Sequence, residues 1–198
     1  MAIDVVHDTQ EVFRTILHCM SRPGTIGNIE EIGKPVRQFG HCQHSTIVTA
    51  ITLLDAEVNF HVISENATAI GDYLSAFTLS KVADVHTADY IFIMNDAKKQ
   101  TISDIFNKAK KGTLLNPHQS ATIIVEIDAL SNGNDLLLEG PGIQNTKNVK
   151  IDGSEFWIME RAEVNKEYPL GVDMVLIDPE SNMMCLPRTT MIHDCGVS

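Results

Sequence analysis

The segment YIFIM at 90–94 decides the fold class because it is apolar at every position. A strand with one face in water alternates apolar and polar residues, whereas a strand between two helix layers is apolar on both faces. The segment MVLI at 174–177 has the same character. These runs therefore predict strands that are buried between layers of helices.

Helical patterns alternate with these apolar runs along the chain. In the first pattern apolar residues recur at helical spacing from Val12 to Met20, and the turn sequence SRPG at 21–24 ends it. Helices are predicted at 9–20, 45–54, 67–79, 101–110 and 154–163. Strands are predicted for NFHVI at 59–63, YIFIM at 90–94, ATIIVEI at 121–127, DLLLEG at 135–140 and VDMVLI at 172–177.

The late strands, within 120–140 and 172–192, are separated by connections of hairpin length, so part of the sheet is expected to be antiparallel. The predicted fold class is therefore α/β, a mixed central β-sheet covered by helices on both faces. The chain has 198 residues, 43% of them hydrophobic. Because single domains commonly grow to about 250 residues, one domain spanning 1–198 is expected.

The charge of the chain argues against two classes of partner. The formal net charge is −11 and the pI is about 5.0, so no basic face is expected for nucleic acid or an anionic membrane. No apolar run approaches the roughly 20 residues of a membrane span, and MAIDVVHDTQ at 1–10 lacks the features of a signal peptide. We expect a soluble, cytoplasmic protein.

The cysteines and histidines give little support for a disulfide framework or a metal site. Four widely spaced cysteines are predicted to be free thiols: Cys19, Cys42, Cys185 and Cys195. Zinc would need two segments to meet, one with His41, Cys42 and His44 and the other with His193 and Cys195. Neither segment has the usual ligand spacing, so no metal is predicted.

The search for catalytic motifs also leaves weak candidates. The chain has neither a Gly-x-Ser-x-Gly elbow nor a Ser-x-x-Lys motif, which leaves acyl transfer by a serine nucleophile without support. The turn Gly140-Pro141-Gly142 could hold an anion on its backbone N–H groups. Pro141 removes one of those donors, so a tight turn that ends a strand is the favoured reading.

Five short motifs, taken in order along the chain, carry a family resemblance. They are Phe13-Arg14, Met20-Ser21-Arg22-Pro23-Gly24, Gly140-Pro141-Gly142-Ile143, Pro169-Leu170-Gly171-Val172-Asp173 and Pro187-Arg188-Thr189-Thr190. Their order and the chain length resemble the PhnH family, the H subunits of the bacterial carbon–phosphorus lyase system. No single motif is specific, whereas the combination is.

The resemblance implies a role in phosphonate catabolism. Family members are associated, together with the G, I and L proteins, with coupling an alkylphosphonate to the ribose of ATP, which gives a ribose 1-phosphonate 5-triphosphate. It implies a fold like a shortened pyridoxal-phosphate-dependent transferase, with no cofactor. It also implies pairing with other core subunits (G, I and J) and a homodimer when the chain is isolated. No established catalytic residue of the family can be carried over.

Arg188 has two readings. Its planar guanidinium could hold a phosphonate, a triphosphate or a carboxylate of a partner, with hydroxyl contacts from Thr189 and Thr190. Alternatively, Arg188 pairs with Asp173 on a neighbouring strand and pins the last hairpin to the sheet, which is the favoured reading. Arg22, in the turn after the first helix, is a further candidate for an anion or partner contact.

Two hypotheses of function follow from these readings. In the favoured one the chain is an accessory subunit that acts through protein contacts and is not catalytic alone. In the alternative, Arg188, Thr189, Thr190, Gly140 and Gly142 hold anionic oxygens in the nucleotide–phosphonate transfer site. The remaining motif residues, Gly171, Pro187, Pro23 and Gly24, are expected to shape turns in both cases.

Overall fold

The computed structural model of the chain describes residues 6–33 and 42–194. The helices are α1 His7–Ser21, α2 Glu30–Gly33, α3 His44–Leu53, α4 Ala67–Thr78, α5 Lys99–Lys108 and α6 Ile158–Val164, with a 3₁₀ turn at Ser154–Phe156. The strands are β1 Gly27–Asn28, β2 Asn59–Ile63, β3 Lys81–Val82, β4 Tyr90–Ile93, β5 Thr122–Glu126, β6 Ala129–Glu139, β7 Lys147–Asp152, β8 Asp173–Ile177, β9 Asn182–Leu186 and β10 Met191–Asp194.

Seven strands form the central mixed sheet in the order β1-β9-β8-β5-β4-β2-β3. Strands β3, β2, β4, β5 and β8 are parallel, and β9 turns back to pair with β8 in an antiparallel hairpin. The predicted mixed α/β fold is therefore confirmed, with its antiparallel part at the late hairpin.

Each central strand contributes to two hydrophobic cores. In β4 and the residue after it, Phe92 and Met94 face one core while Ile91 and Ile93 face the other, and all four are buried. Helices α1, α3 and α4 cover the first face, and α5 and α6 cover the second. The apolar run at 90–94 is explained by this burial on both faces.

A second sheet of three strands was not predicted. It has the order β10-β6-β7 and packs its apolar residues into the core on the α5 side. The predicted strand at 135–140 is only the end of the longer β6. The pairing of β6 with β7 shifts register between Ser131 and Leu136, and the polar residues 131–135 in that irregular stretch hide the strand in the sequence.

The first four predicted helices are found with their ends shifted by at most two residues, whereas the fifth differs more. The segment predicted as one helix at 154–163 is a 3₁₀ turn followed by α6, with Trp157 buried between them. None of the helices described has the length and apolar character needed to cross a membrane. Three of the four predicted free thiols, Cys19, Cys42 and Cys185, are free and buried, while Cys195 lies outside the described residues.

Candidate functional site

Four of the sequence motifs pack against one another at the ends of the late strands. Gly140 has φ +140°, and a Cβ there would lie 2.8 Å from the carbonyl oxygen of Thr189. Gly142 has φ +86°, and a Cβ there would collide with the carbonyl oxygen of Ser21. The Gly-Pro-Gly turn therefore fits between the Pro-Arg-Thr-Thr turn and the turn after α1, and its glycines allow the close approach.

Asp173 and Arg188 form the centre of this assembly, which we call the Arg188 cluster (Pro117, Ser120, Pro169, Asp173 and Arg188). The backbone N–H of Arg188 donates to Oδ1 of Asp173 at 2.7 Å, and its Nη2 lies 2.5 Å from Oδ2. Residue 174 pairs with residue 186 across the β8–β9 hairpin, which brings the two side chains to the same strand end. The predicted pairing of Arg188 with Asp173 is thus confirmed.

The other donors of Arg188 reach into two loops. Nη1 donates to the carbonyl oxygens of Pro117 at 2.9 Å and of Pro169 at 3.2 Å. Nη2 also donates to Oγ of Ser120, and Nε donates to Oδ1 of Asp173 at 3.3 Å. A guanidinium has five N–H donors, so this internal network occupies all of them. The arginine side chain is 14% exposed, and no donor remains for an anion.

Arg161, which the sequence reasoning missed, binds the backbone of the Pro-Arg-Thr-Thr turn. It is 3% exposed, and its Nη1 and Nη2 donate to the carbonyl oxygens of Thr190 at 3.0 Å and Pro187 at 2.6 Å. Burial lowers the pKa of Arg161 to about 10, and the Asp173 carboxylate opposes that shift. Trp157 and Val164, four residues before and three after, are buried on the same helix side and were the available signal for burial.

The two threonines of the motif do not act together. Thr190 is 2% exposed, and its hydroxyl oxygen has no hydrogen-bond partner among the residues described. Thr189 instead lines an open cleft of about 300 Å³ beside Arg188. The cleft is lined by Pro117, His118, Tyr168, Pro169, Asp173, Pro187, Arg188 and Thr189. Of the two threonines, therefore, only Thr189 lies at the surface of this cleft beside Arg188.

The remaining motif residues serve the packing of turns. The N–H of Gly171 donates to the carbonyl oxygen of Lys111 at 3.0 Å. Pro23 lies against the Gly142 turn, and Gly24 lies against the side chains of Leu138 and Lys147. These contacts join the late hairpin and the turn after α1 to their neighbours.

Arg22 does not line the cleft beside Arg188. It is exposed at the end of α1, where Nη1 is 2.9 Å from Nδ1 of His18, one helical turn earlier. As for the zinc hypothesis, within residues 6–33 and 42–194 no three histidine, cysteine or acidic side chains lie close enough to hold a metal ion. His41 and Cys195, two of the five candidate ligands, lie outside those ranges.

Comparison with known proteins agrees with the motifs gathered at this site. The profile of the bacterial phosphonate metabolism protein PhnH matches residues 2–193. The chain belongs to the PhnH family. It is 29% identical over 201 residues to the PhnH subunit of alpha-D-ribose 1-methylphosphonate 5-triphosphate synthase from Rhizobium meliloti (strain 1021), covering 96% of this chain and 92% of that protein.

A second relative extends the comparison. The putative C-P lyase subunit protein HtxG of Stutzerimonas stutzeri is 27% identical over 192 residues, which cover 93% of this chain and 85% of that protein. Both relatives are described as subunits of larger enzymes. The family resemblance inferred from the five motifs is confirmed.

Proposed function

We propose that this chain is the H subunit of a carbon–phosphorus lyase system and acts mainly as an accessory, scaffolding subunit. With G, I and L proteins it would take part in forming ribose 1-phosphonate 5-triphosphate from ATP and an alkylphosphonate. Its PhnH family membership and the descriptions of its relatives as subunits support this role. We propose no catalytic activity for the chain alone.

The observation that carries the scaffolding role is the complete use of Arg188 within the chain. All five N–H donors of its guanidinium hold Asp173 and the two loops that reach it at Pro117 and Pro169. An arginine that binds a phosphonate or triphosphate would keep donors facing the ligand. The alternative, in which Arg188 holds anionic oxygens in the transfer site, is therefore disfavoured, although Thr189 still lines the cleft.

The loop held by Arg188 presents apolar side chains that suit a protein contact. Leu114 is 75% exposed and Leu115 is 91% exposed, and both lie shortly before Pro117. Loops that are fixed before binding lose less conformational entropy when a partner docks. We therefore propose that the tip of this loop, Leu114 and Leu115, contacts a neighbouring core subunit, with G, I and J as the candidates.

Three finer statements complete the proposal. The isolated chain is expected to be a homodimer, as the family resemblance implies. We further propose that it folds without pyridoxal phosphate or metal, while keeping the fold relationship to pyridoxal-phosphate-dependent transferases that the family implies. We place the complex in the cytoplasm.

Coexpression with the other core subunits tests the subunit role and the contact surface. The parent chain, purified through a tag, should copurify with the other subunits. If it copurifies with none of them at every salt concentration tried, including low salt, the subunit role is refuted. The double variant Leu114→Ser, Leu115→Ser should melt like the parent but copurify poorly. Val82→Ser, which replaces an exposed apolar residue on edge strand β3, is the control and should copurify normally. If both variants copurify alike, the loop is not the contact.

A further inference from the structure

The strand order creates a crevice between the loops that follow the neighbouring strands β2 and β4. Strand β2 pairs in parallel with β3 on one side and with β4 on the other. The chain leaves β2 through α4, which packs on the first core, and leaves β4 through α5, which packs on the second. The loops after β2 and β4 therefore diverge, and ligands of open α/β sheets commonly bind where this happens.

A serine and an aspartate meet in this β2–β4 crevice. Ser64, the residue after β2, donates from Oγ to Oδ2 of Asp96 at 2.8 Å, and the N–H of Glu65 donates to the same oxygen at 3.2 Å. The N–H of Asn66 donates in turn to Oγ of Ser64 at 3.0 Å. These bonds fix the orientation of the Asp96 carboxyl group.

The second oxygen of that carboxyl group is left over. Oδ1 of Asp96 is shielded from solvent and accepts no hydrogen bond from the residues described. A carboxylate oxygen accepts hydrogen bonds readily, and leaving it unsatisfied away from water is unfavourable. The hydroxyl group of a ligand could supply the hydrogen bond that the described residues do not give this oxygen.

The crevice has room for that donor and a second feature beside it. Its volume is about 280 Å³, and its walls include Ser64, Glu65, Asp96, Lys98 and Thr101. Lys98 is the residue before α5, a helix of 10 residues whose first turn has no capping side chain. The N-terminal end of a helix favours anions, and Lys98 adds a positive charge. Hydroxyl recognition and anion recognition thus lie on neighbouring walls.

We infer that the β2–β4 crevice binds the ribose 5-phosphate part of a nucleotide. Asp96 accepts a hydrogen bond from a ribose hydroxyl through Oδ1, and the 5′-phosphate lies at the start of α5 with Lys98 and Thr101. The cavity is near the lower end of ligand-site volumes, so it holds the ribose and one phosphate while the base and the other phosphates extend into solvent. This inference rests on the proposed function, in which a ribose triphosphate is handled.

Isothermal titration calorimetry on the full chain tests the inference with three probes: ATP, 2′,3′-dideoxy-ATP and inorganic tripolyphosphate. ATP should bind, and removal of the two ribose hydroxyls should weaken the affinity about tenfold or more, as expected for hydrogen bonds to a charged group. The affinity for tripolyphosphate, which has no ribose, measures the electrostatic contribution to binding alone. Equal affinities for ATP and its dideoxy analogue, or no binding of ATP at millimolar concentration, would overturn the inference.

Matched variants separate this site from general electrostatics. Asp96→Asn should abolish the preference for ATP over dideoxy-ATP, whereas Asp72→Asn, on the exposed side of α4, should keep it. If ATP binds only through general electrostatics, its affinity should change by the same amount in both variants, because each variant removes one negative charge. Should Asp96→Asn fail to fold, the affinities of the parent and of Ser64→Ala for ATP and dideoxy-ATP still test whether the crevice recognises the ribose hydroxyls. A hydroxyl preference that persists in Asp96→Asn refutes the site.

The two proposals fail independently. A chain that copurifies with the other core subunits but shows no hydroxyl-dependent binding of ATP keeps its subunit role and loses the nucleotide site. A chain that binds ATP with hydroxyl dependence but never copurifies keeps the nucleotide site and loses the proposed subunit role.

Discussion

The Arg188 cluster and the β2–β4 crevice both contain a partly buried aspartate, and they differ in how completely it is satisfied. Asp173 accepts hydrogen bonds on both oxygens from Arg188. Asp96 accepts them on Oδ2 from Ser64 and Glu65, and its Oδ1 has none among the described residues. A polar network that is complete within the chain supports the fold, whereas an incomplete one has capacity for a ligand.

The largest effect is expected where the complete network is broken. Arg188→Ala removes both side-chain donors to Asp173, so that only the backbone N–H of residue 188 still donates to that carboxylate. It also leaves the carbonyl oxygens of Pro117 and Pro169 without their guanidinium donor. Loss of one member of a largely buried ion pair costs about 3 kcal/mol, so the free energy of unfolding should fall by about that amount. Urea denaturation measures it, with and without ATP.

Arg22→Ala is the control for this experiment because Arg22 is exposed. Its loss should change the free energy of unfolding by less than about 1 kcal/mol. If Arg188→Ala unfolds like the parent and loses ATP binding instead, Arg188 belongs to a ligand site and the scaffolding role is wrong.

The part of the comparison that could be predicted from sequence follows from local patterns. The central strands were found because burial on both faces gives continuous apolar runs, as at 90–94. The pairing of Asp173 with Arg188 could be predicted because Asp173 begins the first strand of the hairpin and Arg188 follows the end of its second strand. In contrast, β6 was cut short because its polar residues 131–135 fall in an irregular part of the ladder.

The missed residues have no such local signal. Ser64 and Asp96 are 32 residues apart, and only the parallel pairing of β2 with β4 brings them together. Arg161 sits 26 residues before Pro187, whose carbonyl oxygen it binds, and a charged residue inside a short helix resembles a solvated one. A contact that depends on the order of strands in a sheet leaves no periodic pattern in the chain.

A smaller, pH-dependent effect is expected from Glu126, at the end of β5. Its side chain is buried and accepts hydrogen bonds from the backbone N–H groups of Gln43 at 2.8 Å and Asn95 at 3.1 Å. Burial raises the pKa of this carboxyl group above its usual value of 4.5, although the N–H donors oppose the shift. The folded state therefore binds more protons than the unfolded state between the two pKa values.

The stabilising contribution of Glu126 is thus complete below pH 4.5 and is lost as the pH rises through the folded pKa. Glu126→Gln does not titrate, so the free energy of unfolding of the parent minus that of the variant should decrease with rising pH. Denaturation curves between pH 4 and 8 measure the difference, and Glu57→Gln, an exposed position, is the control. A difference that stays constant or increases contradicts the assignment.

The smallest effect on stability is expected from Asp96→Asn, and its proper counterpart is Asp173→Asn. In Asp96→Asn the amide oxygen can still accept from Ser64 and Glu65, and the amide nitrogen replaces an oxygen that had no donor, so the free energy of unfolding should change by less than about 1 kcal/mol. In Asp173→Asn the amide nitrogen would face donors of Arg188 and leave the guanidinium without its counter-charge, a loss of about 2–3 kcal/mol. Thermal denaturation of the two variants beside the parent measures both changes. Residues that serve a ligand are often replaced at little cost to the fold. A cost for Asp96→Asn as large as that for Asp173→Asn would make Asp96 a structural residue and remove the distinction between the two sites.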